Sequence, residues 1–396
     1  MLGLRFEEWL ALKNVKYDAD KIVFMCSNDR STSSLDDNKA KKKKNWKVLV
    51  RTDINLRAGD VILNIPFDAC FSHLTALLPQ KTKNEKVKSM LRTSDWLARL
   101  TICLVYELKN LNESDFGPYL EHLPIEESEV ISNWTAFEKE ILLKGTDFFQ
   151  LFGYLRDETE AAKEEFAMFK DAFSDDLNFK FTIEDYVRAR TVCSSRAFEI
   201  KPKVVGLMPL ADLFNHHSSG NHVNVTEGYK ESSVAVVVLK SCGNGEEIFN
   251  TYGKLSNTDL LNSYGFCEEE GEIANRINSP RFSGLDVRQK LLLARECPDE
   301  FKKDSSLFTI DDLKNIFRGR RDDIIRSIFL QRLRAYPDDE AFEKASKDIR
   351  LKKERVELAR LVRKSEMNAI AEALKTLASK QVLQADLDSD MFSLFT

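Results

Sequence analysis

Apolar positions along this chain alternate between a helical and an extended spacing. Residues 4–13 (LRFEEWLALK) read as a short amphipathic helix. Residues 27–44 are polar, poor in apolar side chains and end in the run Lys41–Lys44, which predicts an exposed loop. That lysine run also matches a nuclear-import signal. Short apolar strands are expected at Lys47–Val50 and Val61–Ile65, separated by the turn-forming Arg57-Ala58-Gly59-Asp60. From about 75 to 190 the period becomes helical. Leu97, Leu100, Leu104, Leu108 and Leu111 share one face behind Ser94 as N-cap, and Phe116-Gly117-Pro118-Tyr119 ends that helix. Strands return at 223–226 and Val234–Leu239. Beyond about 270 two helical stripes follow: Ile324, Ile325, Ile328 and Leu333, then Leu358, Leu361, Val362, Ile370, Leu374 and Leu377. No repeat of fixed period is present, so a helical solenoid is not supported. The expectation is an α+β protein: a β module of short strands with a helical insertion, plus an all-helical C-terminal domain.

Composition narrows the partners. At 396 residues with a net charge of -5, the chain has no domain-wide basic stripe for nucleic acid. Its 7 cysteines are scattered singly, without a CxxC pair. This argues against a disulfide framework and a structural zinc site and favours a reducing compartment. Arg5, Glu7 and Glu8 near the start do not suit a signal peptide, and no run of 18 apolar residues occurs, so no membrane span is expected. A cytoplasmic or nuclear monomer fits these properties.

The candidate chemistry lies in Pro209-Leu210-Ala211-Asp212-Leu213-Phe214-Asn215-His216, followed by Gly245-Glu246-Glu247-Ile248-Phe249-Asn250-Thr251-Tyr252-Gly253 and Leu260-Leu261-Asn262-Ser263-Tyr264-Gly265-Phe266. An Asn-His pair after an apolar run, then Tyr-Gly and Tyr-Gly-Phe, resembles the C-terminal half of a SET domain. Asp53-Ile54 with Gly59 to Pro66 is similar to the first SET strands. Trp96 to Pro124 and Ser194-Ser195-Arg196-Ala197-Phe198 resemble the insertion of the Rubisco large-subunit lysine methyltransferase-like branch, whose relatives modify ribosomal-protein lysines or an actin histidine. Leu361-Val362-Arg363-Lys364-Ser365-Glu366 looks like part of the helical substrate-binding domain of that branch.

This resemblance implies four regions: 1–75 with the N-terminal helix and first strands, 76–190 as the helical insertion, 191–270 with the cofactor and channel motifs, and 271–396 as a helical substrate-binding domain. It implies S-adenosylmethionine as cofactor and a protein substrate carrying the target lysine, ribosomal or otherwise non-histone. Tyr252 is the implied catalytic tyrosine. Arg196, Asn215, His216, Trp46 and Lys47 would border the cofactor. Ser195, Asp212, Phe198 and Tyr264 would border the substrate, with Phe249 and Phe266 as further channel walls. Free lysine titrates near 10.4, so the site must desolvate and orient its amine; this chemistry calls for aromatic walls and oxygen acceptors and no metal. Taken alone, a tyrosine before glycine is usually packed in a core, an Asn-His pair is a common turn, and Asp212 could simply cap a turn.

One segment departs from the family pattern. Where that branch has Gly-x-Gly around the methionine part of the cofactor, this chain has Asn45-Trp46-Lys47. Asn tolerates left-handed backbone, whereas Lys47 adds bulk and a positive charge beside a sulfonium. Lys47 is therefore expected to limit cofactor affinity, and Lys47→Gly to tighten it. A SET-fold binding module without catalysis and a histidine methyltransferase remain open alternatives.

Overall fold

A computed structural model of the chain describes residues 2–28, 44–123, 129–148, 158–174, 179–218, 220–228, 232–253, 255–269, 330 and 333–393. They form two compact units, Met1–Ser128 with Glu158–Gly253, and Glu129–Asp157 with Lys254–Thr396.

The first unit holds the strands. Helix α1 (Leu4–Leu12) precedes β1 (Lys16–Tyr17), β2 (Ile22–Asn28), β3 (Lys44–Val50), β4 (Val61–Pro66) and β5 (Phe71–Ser72). Helices α2 (Leu77–Lys81), α3 (Glu85–Thr93), α4 (Trp96–Lys109) and α5 (Gly117–Leu120) follow. The second unit contributes α6 (Ala136–Leu142). The chain then returns to the first unit with α7 (Glu158–Ala172), α8 (Ile183–Arg196), β6 (Ala197–Lys201), β7 (Val204–Leu207), β8 (Val223–Glu227) and β9 (Ser233–Val238).

Strand order is β1-β4-β9-β8 in one sheet and β5-β7-β6 in another, and β2 pairs with β3. β9, with the sequence SVAVVV, is buried along nearly its whole length, as expected for β-branched residues between two neighbours. β2 and β3 pair antiparallel from Ile22 opposite Val50 to Asn28 opposite Lys44. In the β5-β7-β6 sheet, a Cβ on Gly206 would lie 2.3 Å from the Phe71 carbonyl oxygen, so only glycine allows the strands to approach this closely. α1 buries Phe6, Trp9 and Leu10. Trp9 stacks on Tyr119 at 6.0 Å, and its indole donates to Asp115 O at 2.6 Å. α4 and α8 pack together, burying Leu100, Cys103 and Leu104 on one and Tyr186, Ala189 and Cys193 on the other.

Several elements differ from the expectation. The cap of α4 is Asp95, whose carboxylate accepts from Ala98 N at 2.8 Å; Ser94 instead ends α3. Both are good cap residues, and Asp95 is the one in register with the buried face. Ser27, Asn28 and Lys44 belong to the β2–β3 ribbon and not to a loop. The sequence spacing also missed β6 and β7. Residues 29–43, and Ile324, Ile325 and Ile328, lie outside the described residues, as does the side chain of Leu377.

The second unit is helical, with α6, α9 (Asn257–Tyr264), α10 (Asp339–Ala345) and α11 (Lys353–Ser393). Its core contains Ile131, Trp134, Leu142, Leu261, Phe342, Val356 and Val362. Two buried polar knots tie the 129–148 segment to the C-terminal part. Arg355 Nε donates to Glu129 Oε2 and Arg355 Nη1 to Glu138 Oε2, both at 2.6 Å. The carboxylate of Glu366, 1% exposed, accepts from Asp147 N at 3.0 Å and from the hydroxyls of Thr258 and Tyr336. Among the described residues, no helix is long and apolar enough to cross a membrane.

Removing that carboxylate takes away an acceptor shared by three buried donors. Glu366→Ala should therefore destabilise the second unit by about 3 kcal/mol or more, and Glu366→Gln, which retains an acceptor, by less. Denaturant unfolding followed by tryptophan fluorescence measures both. An unchanged midpoint for the alanine variant would contradict this role.

Candidate active site

The site is built where residues 246–252 pass between β3 and the 215–217 segment. On one side Val50 N donates to Glu246 O at 2.9 Å and Ile248 N to Val48 O at 2.7 Å. On the other, Asn250 N donates to Asn215 O at 2.8 Å and His217 N to Asn250 O at 3.1 Å, forming a parallel bridge between His216 and Asn250. Main-chain bonds thus fix three stretches that are distant in sequence.

Side chains complete the crossing. Tyr252 N donates to His216 Nδ1 at 3.0 Å, and the two rings stack with centroids 5.1 Å apart. The Tyr252 hydroxyl donates to Phe214 O at 2.8 Å. The Asn215 amide donates through Nδ2 to Trp46 O at 2.9 Å and to Glu247 Oε1 at 2.7 Å. The other oxygen of Glu247 faces Lys47, with Nζ to Oε2 at 3.1 Å. The Lys47 ammonium thus carries an acidic partner, which the sequence did not reveal.

Asp212 precedes Asn215 by three positions. The buried Leu210 has φ +68°, a costly conformation for a branched side chain, and it leads into the short turn that carries Asp212. Asp212 is 5% exposed. Its Oδ2 accepts from the Tyr119 hydroxyl at 2.9 Å, and its main-chain oxygen accepts from Arg196 Nη1 at 2.6 Å. Burial pushes the Asp212 carboxyl up to about 6, against the opposing pull of the Arg196 cation and the Tyr119 hydrogen bond. Among the described residues, Asp212 Oδ1 and Trp46 Nε1 are both buried without a hydrogen-bond partner. Their residues line a small cleft with Phe6, Tyr119, His122 and Leu213.

The structure thus brings together Trp46, Lys47, Asn215, His216 and Tyr252 in one web and Arg196 and Asp212 in another, joined by the short 212–215 stretch. Ser195 sits in the last turn of α8, where its hydroxyl donates to Thr191 O at 2.7 Å. Phe198 is half-buried in β6 against the core. Phe249 packs between the rings of His217 and His222 at 5.4 and 6.0 Å. Tyr264 belongs to the second unit; it ends α9, its ring lies 6.3 Å from Phe266, and burial raises its hydroxyl above the ordinary range. Among the described residues, no group of three or more His, Cys, Asp or Glu could hold a metal ion. Sequence reasoning did not single out Tyr119 or Glu247. Both stood inside quoted motifs, yet their roles arise from partners 93 and 32 residues away.

No family model matches the chain. It is similar to the N-lysine methyltransferase setd6 of Xenopus laevis, 26% identical over 274 residues that cover 64% of this chain and 57% of that protein. It is also similar to the ribosomal lysine N-methyltransferase set10 of Schizosaccharomyces pombe, 24% identical over 227 residues, covering 54% and 38% respectively. The chain spans about half the length of the curated relatives it matches. In three dimensions it resembles the SET domain of LSMT bound to lysine and AdoHcy, with a TM-score of 0.61 and 16% identity over 95% of this chain and 91% of that one. Rubisco LSMT bound to AdoMet gives a TM-score of 0.58 at 17% identity, with the same shares covered.

Asp212 generates a prediction with a definite sign. Its folded value of about 6 lies above the ordinary 3.8, so the folded state holds its proton more tightly than the unfolded chain does. That contribution to stability is complete below pH 4 and is lost as pH rises through about 6. Relative to Asp212→Asn, the wild type should lose roughly 2–3 kcal/mol of stability between pH 4 and pH 7. Unfolding free energies at several pH values check this; a constant difference across the range would refute it.

Proposed function

The chain has the SET fold, and from that premise we propose that it is an S-adenosylmethionine-dependent protein-lysine N-methyltransferase acting on a non-histone protein. The observation that carries this proposal is the position of Tyr252, pinned by Phe214 O and His216 where the Asn215-His216 and Glu247–Tyr252 segments cross. The similarity to named lysine methyltransferases supports it.

The residues at the crossing fit the cofactor. A main-chain carbonyl can only accept a hydrogen bond, so Trp46 O dictates that Asn215 presents Nδ2 to it and leaves Oδ1 as an acceptor suited to an ammonium group. Arg196 commits Nη1 to Asp212 O and retains further donors of its guanidinium fork, which suit a carboxylate. An amino-acid moiety carries both of these groups. The main chain of Trp46, Lys47 and His216 would border the same ligand. When bound, S-adenosylmethionine supplies an electrophilic methyl group.

The chain's own residues then have to make a lysine amine nucleophilic. Tyr252 directs its hydroxyl hydrogen to Phe214 O, so its oxygen offers lone pairs to an approaching amine and can orient it. Desolvation against aromatic walls, for which Phe198 and Tyr264 are candidates, favours the neutral amine. Asp212 and Ser195 are the candidate groups for the cationic form on arrival. The substrate is a protein carrying the target lysine, ribosomal or another non-histone protein, met by a monomer without nucleic acid or membrane. A place in the cytoplasm or nucleus agrees with the 26, 70, 103, 193, 242 and 267 cysteines being free.

Calorimetry with S-adenosylmethionine tests the cofactor assignment directly, and a wild type that binds none would end it. Arg196→Ala should weaken that binding by about 1.5–3 kcal/mol through loss of a charge-assisted bond; equal dissociation constants would refute the role of Arg196. Tyr252→Phe removes only a hydroxyl. It should keep the fold and cofactor binding yet lose most transfer of labelled methyl to a lysate protein detected by mass spectrometry. Undiminished transfer would sink the assignment of Tyr252.

A further inference from the structure

We propose that Lys47 is a positioning residue, which through Glu247 fixes the carboxamide of Asn215 and so strengthens cofactor binding instead of opposing it. This rests on the cofactor reading above and reverses the sign expected from the sequence.

The geometry forms a chain of three side chains. Lys47 Nζ lies 3.1 Å from Glu247 Oε2, and Glu247 Oε1 accepts from Asn215 Nδ2 at 2.7 Å. Nδ2 also donates to Trp46 O at 2.9 Å, so both its hydrogens are engaged. Turning the amide over would set Oδ1 against two acceptors and lose both bonds. Trp46 O selects the orientation of Asn215, and the Glu247 carboxylate reinforces it with the second bond. Among the described residues, Lys47 is the only cation paired with Glu247, whose side chain is 14% exposed. Without Lys47, the carboxylate can turn toward water and leave Asn215 held by Trp46 O alone.

Bulk does not oppose this role. In β3 the neighbours Trp46 and Val48 are buried while Lys47 is exposed, so its side chain runs along the open face of the ribbon. The main chain of Glu247 is held independently, by its bridge to Leu49 and by the bond from Ile248 N to Val48 O. A Lys47 variant should keep the crossing and change only the side-chain relay.

The test uses the full chain with Lys47→Met and Lys47→Arg. Side-chain amide resonances of Asn215 should shift in Lys47→Met and return toward wild type in Lys47→Arg, which restores the cation. Calorimetry should show S-adenosylmethionine and S-adenosylhomocysteine weakened alike in Lys47→Met, by about two- to five-fold, the range for a pair of this exposure, and recovered in Lys47→Arg. Equal losses follow because both ligands share the amino-acid end that meets Asn215. Unmoved amide resonances would overturn the proposal. So would unchanged or tighter binding in Lys47→Met, or a gain for the sulfonium alone, which would mark a simple charge effect. A wild type that binds neither ligand would instead defeat the cofactor reading, and the amide resonances would still decide whether Lys47 holds Asn215.

Discussion

Everything in the candidate site depends on one backbone constraint: residues 246–252 must bond to β3 on one side and to the 215–217 segment on the other. Each bond is ordinary in strength, about 1 kcal/mol net. Their joint effect is geometric. They bring an amide, an imidazole and a phenol from separate parts of the chain into contact, with no helix or strand of their own to hold them. The bonds of the Asn215 amide, of His216 Nδ1 and of the Tyr252 hydroxyl end on main-chain groups or on Glu247, so the site is rigid as far as this crossing is rigid.

At Asp212 the balance differs. Asp212 is a carboxyl that folding has removed from water, and its environment compensates only in part. Arg196 donates to its carbonyl, Tyr119 bonds one carboxyl oxygen, and the other oxygen has no partner among the described residues. The strained backbone at Leu210 adds to the cost. Strain and incomplete pairing beside a rigid web are common where structure is shaped by binding or chemistry rather than by stability alone.

How much of this could be read from the chain follows from the range of each interaction. β9 was legible because SVAVVV is a run of β-branched residues, and the hydrophobic face of α4 because its leucines recur at helical spacing. The fold class and the motif segments were legible for the same reason, as local strings. β2 was not, since IVFMCSN runs into a polar stretch and its strand character comes from pairing with β3. Ser94 and Asp95 are equally good caps by composition, and only packing chooses between them. In the site, Asn215 and Tyr252 stood out by sequence. The partner that matters to Lys47 did not, because Glu247 lies 200 positions further along and only folding sets the two 3.1 Å apart. A lysine read alone is a free charge; the same lysine opposite a nearly buried carboxylate is part of a hydrogen-bond relay.

The second unit has a discontinuous sequence, and that affects how the protein is made. Asp147 meets Glu366 across 219 residues, and Glu129 meets Arg355 across 226. At a ribosomal pace of about 5–20 residues per second, the 129–148 segment waits roughly ten to forty seconds for the partners that cover Trp134 and Leu142. During that interval its apolar face is exposed beside an acidic pair without its arginine. Newly made chains are thus most vulnerable to aggregation and chaperone capture there, even though the strands of the other unit can already pair.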